Sequence, residues 1–374
     1  MADGDRNRLS GIEFLRFAAA FTVLIAHYNH FFVYRYASEL PSIANQPLYG
    51  LFGPFYRYGT RAVEVFWCVS GFVFFFKYGR QIHEKCVPPM RFFWLRFSRL
   101  YPLHIATLLV VACLQWLYWA KNGSFYLYEF NDLKHFILNL FFASYWGFQN
   151  GFSFNGPIWS VSLEVLAYIF FYAVSYFIGA DFFTAGICLI ACSAATYFMG
   201  AEAVIVRCIF YFYLGGLSCL VYQAIVSRLK PLWAYMTLFP GLAIGAVAAH
   251  QFRVSGNLAW MLDLEVPLAL TLLAILSRLL PDSVARAGNH LGNLTYASYL
   301  IHFPLQLLVM LGVSVFSITH NFAYSPVFFA GYILTVLIVS HFLYKRLEMP
   351  AQDMIRRRFV VTEERLERKP EFAN

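Results

Sequence analysis

The sequence predicts an all-α fold, a polytopic membrane helix bundle of about ten transmembrane helices with both termini in the cytoplasm. Of its 374 residues, 60% are hydrophobic and only 13% are charged, whereas soluble domains carry about 25% charged residues. Apolar runs of about 20 residues recur along the chain, and an α-helix needs that length to cross the hydrocarbon core. The composition excludes a disordered chain and argues strongly against an ordinary cytosolic enzyme.

Ten apolar runs are expected to span the membrane. They are residues 13–33, 62–79, 100–120, 159–179, 181–199, 204–226, 232–250, 258–279, 294–316 and 324–344. A further apolar stretch, residues 135–148, is too short to span and is expected at the interface. No internal repeat is visible, so a transporter built from inverted halves gains no support. Residues 1–350 are predicted to form the transmembrane domain, and residues 351–374 a basic cytoplasmic tail.

Lysine and arginine residues predict the orientation. With the N-terminus inside and ten spans, twenty of the 28 Lys and Arg residues fall on the inner side, six fall on the outer side and two lie within spans. Because inner loops of membrane proteins are enriched in these residues, both termini are expected in the cytoplasm. The Arg356–Arg358 run of the tail is expected to hold anionic lipid, and no nucleic-acid partner is expected.

The seven cysteines are scattered and odd in number. Cys188 and Cys192 are four residues apart, but neither a histidine nor a second cysteine pair accompanies them as a metal site requires. We therefore expect the cysteines to act as small apolar side chains, and we expect no metal. The first apolar run is too long for a cleavable signal peptide and lacks a small-residue cleavage site.

Ionisable side chains inside the predicted spans are candidate functional groups, because a charge buried in a bilayer is costly. They are Arg16, His27, Glu64, Glu164, Arg207, Asp263, Glu265 and His302. Asp263 and Glu265 lie where Pro267 interrupts the eighth span, and they receive no role.

Arg16 and His27 lie on one helix stripe. They are eleven residues apart, so they fall within roughly 20° of one face and are separated by about 16 Å of rise. Glu164 is expected at the same depth as His27, roughly 8–9 Å below the outer boundary. A carboxylate at that depth would hold the histidine tautomer and stabilise its protonated form during general-base catalysis. The alternative is that each group only satisfies a polar neighbour between packed helices.

The loop between the second and third spans ends in an arginine segment, which we define as residues 90–102. Arg91, Arg96 and Arg99 project from this aromatic-rich stretch, and Arg96 and Arg99 share one face if the segment is helical. Guanidinium groups bind phosphate in bidentate fashion, which suggests a phosphate-bearing ligand. The alternative is that these arginines only snorkel to the interface.

Six motifs in the same order resemble those of the type-3 acyltransferase family. Residues 12–27, IEFLRFAAAFTVLIAH, are similar to its opening span, whose Arg-x10-His signature falls on Arg16 and His27. Residues 63–74, VEVFWCVSGFVF, resemble its second-span motif with Ser70 before glycine. Residues 96–102, RFSRLYP, match its Arg-x-x-Arg loop.

The later motifs follow the same order. Residues 158–168, IWSVSLEVLAY, match a Trp-Ser-x-Ser-x-Glu segment that ends on Glu164. Residues 291–304, LGNLTYASYLIHFP, are similar to the segment that carries Tyr296, Tyr299 and His302. Glu348-Met349-Pro350 resembles the closing Glu-x-Pro.

The chain departs from the family pattern at a few positions. Glu13 and Glu64 stand where the family usually has Asp, which keeps the charge and adds one methylene. Phe17 replaces a glycine. The Glu and Gln that often follow the family's glutamate are Val165 and Leu166 here.

The resemblance implies an integral membrane enzyme that acylates a sugar hydroxyl, most often with acetyl from acetyl-CoA. It implies the stand-alone form, without an appended esterase-like domain, in the inner membrane of a bacterium. The acceptor would be exopolysaccharide, O-antigen or a lipid-linked saccharide. His27 would act as the base or acyl relay with Glu164 orienting it. Direct attack and an acyl-enzyme both remain open.

The remaining candidates divide between donor and acceptor. Arg16, Arg91, Arg96 and Arg99 are expected to bind acetyl-CoA, a substrate, and no permanently bound cofactor is expected. The expected acceptor-side residues are Glu64, Ser70, Ser162, Arg207, Tyr299 and His302. Membrane lipid is the other expected partner, and the sequence leaves the oligomeric state open.

Two alternatives stay open. The same fold would serve succinyl-CoA or a longer acyl donor, with Arg207 as an extra buried cation. A transporter of lipid-linked sugar would also need intramembrane charges, and acetyl-CoA binding separates it from a transferase.

Overall fold

The computed structural model describes residues 9–33, 42–200, 203–252 and 259–360, and its account of side chains leaves out residues 242–264. Every regular element within these residues is helical. The α-helices are α1 (Ser10–His27), α2 (Tyr49–Tyr58), α3 (Ala62–Phe74), α4 (Arg80–His83), α5 (Pro89–Asn122), α6 (Leu133–Leu140), α7 (Ile158–Phe177), α8 (Phe182–Met199), α9 (Val204–Val226), α10 (Pro231–Phe252), α11 (Ala259–Ser277), α12 (Asp282–Val315), α13 (Pro326–Leu343) and α14 (Met349–Ile355).

The predicted all-α polytopic membrane bundle is confirmed. Among the described residues, eight helices are long and apolar enough to cross a membrane. The two other predicted spans, 232–250 and 258–279, are helical as α10 and α11. The short stretch at 135–148 gives α6, which has only eight residues. The orientation stays a prediction.

Three helices extend well beyond the apolar runs that predicted them. Tyr49–His83 is helical over 35 residues, while α5 and α12 each have 34. Their extra turns carry polar and charged residues, which a search for apolar runs passes over. The extension of α5 makes the whole arginine segment helical and continuous with the third span.

Some expectations lie outside the described residues. They concern Arg6, Arg8, Arg35, Arg253, residues 361–374 of the tail and the side chain of Asp263.

The chain folds as two compact units. Within the described residues, the first unit comprises 9–21, 61–86, 164–200, 203–252 and 259–293, and the second comprises 22–33, 42–60, 87–163 and 294–360. Helices α1, α7 and α12 run from one unit into the other.

Close approach of α3 and α9 organises the first unit. A Cβ on Gly71 would lie 1.7 Å from the carbonyl oxygen of Phe212, and a Cβ on Gly215 would lie 1.8 Å from that of Cys68. Small residues let membrane helices pack at backbone distance, which increases van der Waals contact where the hydrophobic effect is absent. The rings of Phe74 and Phe212 pack edge to face at 5.5 Å beside this contact.

An aromatic cluster around Tyr28 organises the second unit. Its ring lies 5.1 Å from that of Phe31 and 5.0 Å from that of Phe329, both edge to face. Its hydroxyl donates to the carbonyl oxygen of Ala323 at 2.8 Å. Buried tyrosines normally find such a partner, and this one joins the end of α1 to the loop before α13.

The first residues of the predicted tail pack against α5 in the second unit. Arg356 Nε donates to Ser98 Oγ at 3.3 Å, and the rings of Trp94 and Phe359 stack at 4.0 Å with an interplanar angle of 9°. Arg357 and Arg358 are exposed. Their predicted contact with anionic lipid stays a prediction.

We predict that Gly71→Ala destabilises the protein, because its Cβ would meet backbone that can move only together with α9. Overpacking of this kind costs roughly 1–3 kcal/mol. Thermal unfolding of the detergent-solubilised chain measures the effect. Gly186→Ala in α8 is the matched control, since its Cβ would meet nothing within 4 Å. A Gly71→Ala protein as stable as the control would contradict the packing account.

Candidate active site

Three imidazoles and one amide form a polar cluster in the second unit, which we call the histidine cluster: His27, His30, His302 and Gln306. His27 Nδ1 and His302 Nε2 are 2.8 Å apart. His30 stacks on His27 with ring centroids at 4.8 Å. Gln306 donates from Nε2 to the carbonyl oxygen of His27 at 2.7 Å, and its Oε1 lies 3.1 Å from His30 Nδ1.

The hydrogen bonds of the histidine cluster fix its tautomers. His302 Nδ1 lies 3.3 Å from the carbonyl oxygen of Ser298, which can only accept, so this nitrogen carries the proton. In neutral His302, Nε2 then accepts, and the proton between the two rings belongs to His27 Nδ1. The remaining nitrogen of His27, Nε2, therefore carries a lone pair. A neutral imidazole with a free lone pair is the form that acts as a general base.

His30 and Gln306 were not among the predicted site residues. A weak signal existed, because His27 and His30 are three residues apart and His302 and Gln306 are four apart, spacings that put each pair on one helical face. The sequence does not reveal that the two pairs contact each other, because 275 residues separate His27 from His302. Among the described residues, no group of three or more His, Cys, Asp or Glu side chains is arranged to hold a metal ion.

Tyr299 and Ser162 brace the chain around the start of α7. The Tyr299 hydroxyl donates to the carbonyl oxygen of Pro157 at 3.0 Å and lies 2.7 Å from Ser160 Oγ. Ser162 Oγ accepts from the backbone N–H of Tyr145 at 3.1 Å. These contacts give both hydroxyls a structural task within the second unit. Their expected role toward the acceptor stays a prediction.

Glu164 lies in the first unit, where two hydroxyls hold its carboxylate. Ser70 Oγ and Tyr168 Oη both donate to Glu164 Oε1. The glutamate of the Trp-Ser-x-Ser-x-Glu segment and the serine of the second-span motif are thus in direct contact. Because His27 belongs to the second unit, its pairing with Glu164 stays a prediction.

A second acidic group of the first unit lies between two arginines. Glu64, with a side chain only 5% exposed, accepts from Arg61 at 2.9 Å, and Arg207 Nε lies 3.6 Å from the same oxygen. Two guanidinium groups around one carboxylate leave a net positive charge. The expected role of Arg207 toward the acceptor stays a prediction. Arg16 pairs with Glu13 on its own helix at 2.9 Å.

The arginine segment has a buried counter-charge. Arg99 Nη1 donates to Glu348 Oε1, and the Glu348 side chain is fully buried. The guanidinium of Arg99 also lies over the ring of Tyr296, 5.8 Å from its centroid. Arg91 and Arg96 are half-buried on the same helix. Arg99 thus has a structural partner of its own, and the expected binding of acetyl-CoA by all three arginines stays a prediction.

Comparison with known proteins gives a family match over nearly the whole chain. The family model described as an acyltransferase domain matches residues 9–344. A stretch of 51 residues is 41% identical to protein 2 in the picA locus of Rhizobium radiobacter, and it covers 14% of this chain and 27% of that relative. None of the solved structures matches.

We predict that Glu348→Gln strongly destabilises the second unit, because the guanidinium of Arg99 would lose its anionic partner. Breaking a buried ion pair on one side costs about 3–5 kcal/mol. The measurement is the thermal midpoint of the purified chain. Glu84→Gln is the control, since its ion pair with Arg80 is on the surface and should contribute little. Equal midpoints for the two variants would contradict the structural role of Glu348.

Proposed function

The chain belongs to the type-3 acyltransferase family, and on that premise we propose that it transfers an acetyl group from acetyl-CoA to a hydroxyl of a cell-surface or lipid-linked saccharide. It is an acyltransferase and a multi-pass membrane protein. The proposal adds the donor, the class of acceptor, the bacterial inner membrane and the residues that act. The observation that carries it is the hydrogen bond between His27 and His302.

His27 is the proposed general base. Its Nε2 lone pair takes the proton of the acceptor hydroxyl while the hydroxyl oxygen attacks the thioester carbonyl carbon. The carbon–sulfur bond then breaks, and the proton on Nε2 passes to the leaving thiolate, which departs as the free thiol of coenzyme A. The same nitrogen accepts and returns one proton, so the histidine ends in its starting form.

His302 is the proposed positioning residue. By accepting the Nδ1 proton of His27, it keeps the lone pair on Nε2 and stabilises the imidazolium that forms in the transition state. Gln306 fixes the carbonyl of His27 and the ring of His30 at the same time, which limits rotation of the stacked rings. Because His302 occupies Nδ1 of His27, the orienting role expected of Glu164 is not part of this step and stays a prediction, and Ser70 and Tyr168 hold its carboxylate.

The arginine segment is the proposed donor site. Arg91 and Arg96 would bind the phosphates of acetyl-CoA, because planar guanidinium groups suit bidentate contacts to phosphate. Arg99, held by Glu348, would contribute charge from a fixed position. Arg16 lies on the helix that leads to His27, where it would assist the same ligand.

Arg207 is proposed to face an anionic part of the acceptor, with Glu64 beside its guanidinium group. Glu64, Ser70, Ser162 and Tyr299 stay predicted acceptor-side residues. Succinyl-CoA remains the alternative donor, since its extra carboxylate would also suit Arg207.

We predict that His27→Ala lowers kcat by about 10²–10⁴-fold, the range over which a general base contributes, with the protein still folded. Acetyl transfer from labelled acetyl-CoA to glycan or glycolipid in membranes is the measurement. His290→Ala, an exposed histidine on α12, is the control and should keep its rate. Full activity of the His27→Ala protein would show that His27 is not the base.

We predict that His302→Leu lowers kcat while the KM for acetyl-CoA changes little, because the base would lose its tautomer control but not the donor site. His302→Gln should recover part of the rate, since an amide oxygen can still accept from Nδ1. Steady-state kinetics of both variants measures kcat and the KM for acetyl-CoA. If both fail equally, or if KM rises instead of kcat falling, His302 is not a positioning residue.

We predict that Arg91→Gln and Arg96→Gln each raise the KM for acetyl-CoA about tenfold, the loss of roughly one charge-assisted hydrogen bond, and leave kcat nearly unchanged. Arg57→Gln, at an exposed cation of α2, is the control. An unchanged KM in both variants would show that Arg91 and Arg96 do not bind the donor. Transfer from succinyl-CoA but not acetyl-CoA would instead select the alternative donor.

A further inference from the structure

An open cavity of about 560 Å³ lies within the first unit, away from the residues used above. The segment that joins α3 to α4 forms one wall, the loop between α7 and α8 forms another, and α9 closes it. Phe75, Phe76, Ile178 and Leu220 line it with apolar surface, while Lys77, Arg80, Gln81 and His83 supply polar groups. Apolar and polar surface therefore meet in one site.

The backbone around the cavity is specialised. Phe75–Gly79 forms a π-helical turn, a rare feature that is frequent at functional sites. Gly179 has a φ of +126°, which favours glycine, and it allows the loop to turn directly after α7. His83 Nδ1 donates to the carbonyl oxygen of Ser175 at 3.3 Å and ties α4 to α7. These features hold the two walls in fixed positions.

Both signs of charge face this cavity. Lys77 and Arg80 are three residues apart at one wall, and Arg80 also pairs with Glu84 at 2.6 Å. Asp181 lies on the wall formed by the loop between α7 and α8, where it accepts from the backbone N–H of Thr184 at 2.8 Å. That hydrogen bond lowers the pKa of Asp181, so its carboxylate is ionised at neutral pH. A purely anionic ligand would be attracted by Lys77 and Arg80 but repelled by the carboxylate of Asp181.

The surroundings of the cavity indicate a lipid. Phe177 is 80% exposed, Ile178 63% and Phe183 73%, and they flank the loop that lines the cavity. In a membrane protein, exposed apolar side chains of this size contact acyl chains. The charge distribution predicts that this end of the helices is cytoplasmic, so the cavity opens where head groups of the inner leaflet meet acyl chains.

We propose that this cavity binds one phospholipid with a phosphoethanolamine head group. Lys77 and Arg80 bind its phosphate, and Asp181 accepts from its ammonium group. The acyl chains lie over Phe76, Ile178 and Leu220. The proposal is independent of the acyl-transfer reaction.

The test is native mass spectrometry of the full chain in detergent with phosphatidylethanolamine, phosphatidylcholine and phosphatidylglycerol at equal concentrations. We expect phosphatidylethanolamine to be retained about tenfold more than phosphatidylcholine, whose quaternary ammonium cannot donate a hydrogen bond. Equal retention of all three lipids would overturn the proposal. Displacement of the lipid by free coenzyme A would also overturn it and would make the cavity a nucleotide site.

Variants distinguish binding of the ammonium group from binding of the phosphate. Asp181→Asn should remove the preference for ethanolamine over choline while the helix stays capped, because asparagine caps helices as well as aspartate does. Lys77→Gln combined with Arg80→Gln should reduce retention of all three lipids. Arg228→Gln, an exposed cation at the end of α9, is the control. A preference that survives Asp181→Asn would refute the role of the carboxylate.

Discussion

A bilayer supplies no water to a polar side chain, so every polar group that these helices bury has to find its partner within the protein. This constraint explains one hydrogen-bonded carboxylate in each unit. Glu164 is held by the hydroxyls of Ser70 and Tyr168, and Glu348 by the guanidinium of Arg99. Ser70 and Arg99 each lie on a different helix from the carboxylate they hold, while Tyr168 lies one turn after Glu164 on α7. The same hydrogen bonds that satisfy the buried groups thus set which helices lie side by side.

The histidine cluster obeys the same constraint with neutral groups. A stack of His27 between His30 and His302 buries three imidazoles at a lower cost than three charges. His27 and His30 each use Nδ1 for a partner inside the cluster, and His302 uses both nitrogens, one for His27 and one for a backbone carbonyl. For His27 that partner occupies Nδ1 and leaves Nε2 for chemistry. In the proposed mechanism, structural satisfaction and preparation of a base are therefore one arrangement, so a structural role for His27 is compatible with a catalytic one.

The sequence predicts the individual elements well, because helix length and hydrophobicity are local properties. Each of the ten apolar runs gives a helix within the described residues. The missed parts are the polar ends of helices, such as the first turns of α5, which no apolar run marks. The sequence also fails to predict which side chains from different helices pair with one another. Arg99 and Glu348 are 249 residues apart, and the spacing of charges along one helix contains no information about the facing helix.

The choice of partner for His27 matters for the kind of base it makes. A carboxylate on Nδ1 would raise the basicity of the ring by stabilising its charged form. Neutral His302 stabilises the charged form of the His27 ring less than a carboxylate would. It fixes the tautomer equally well, however, and it adds no negative charge to an apolar bundle. A base of moderate strength would suit the proposed transfer from a thioester, because the same nitrogen would have to release its proton to the leaving thiolate. His302 therefore favours return of the proton as much as its removal, while a carboxylate in its place would favour removal alone.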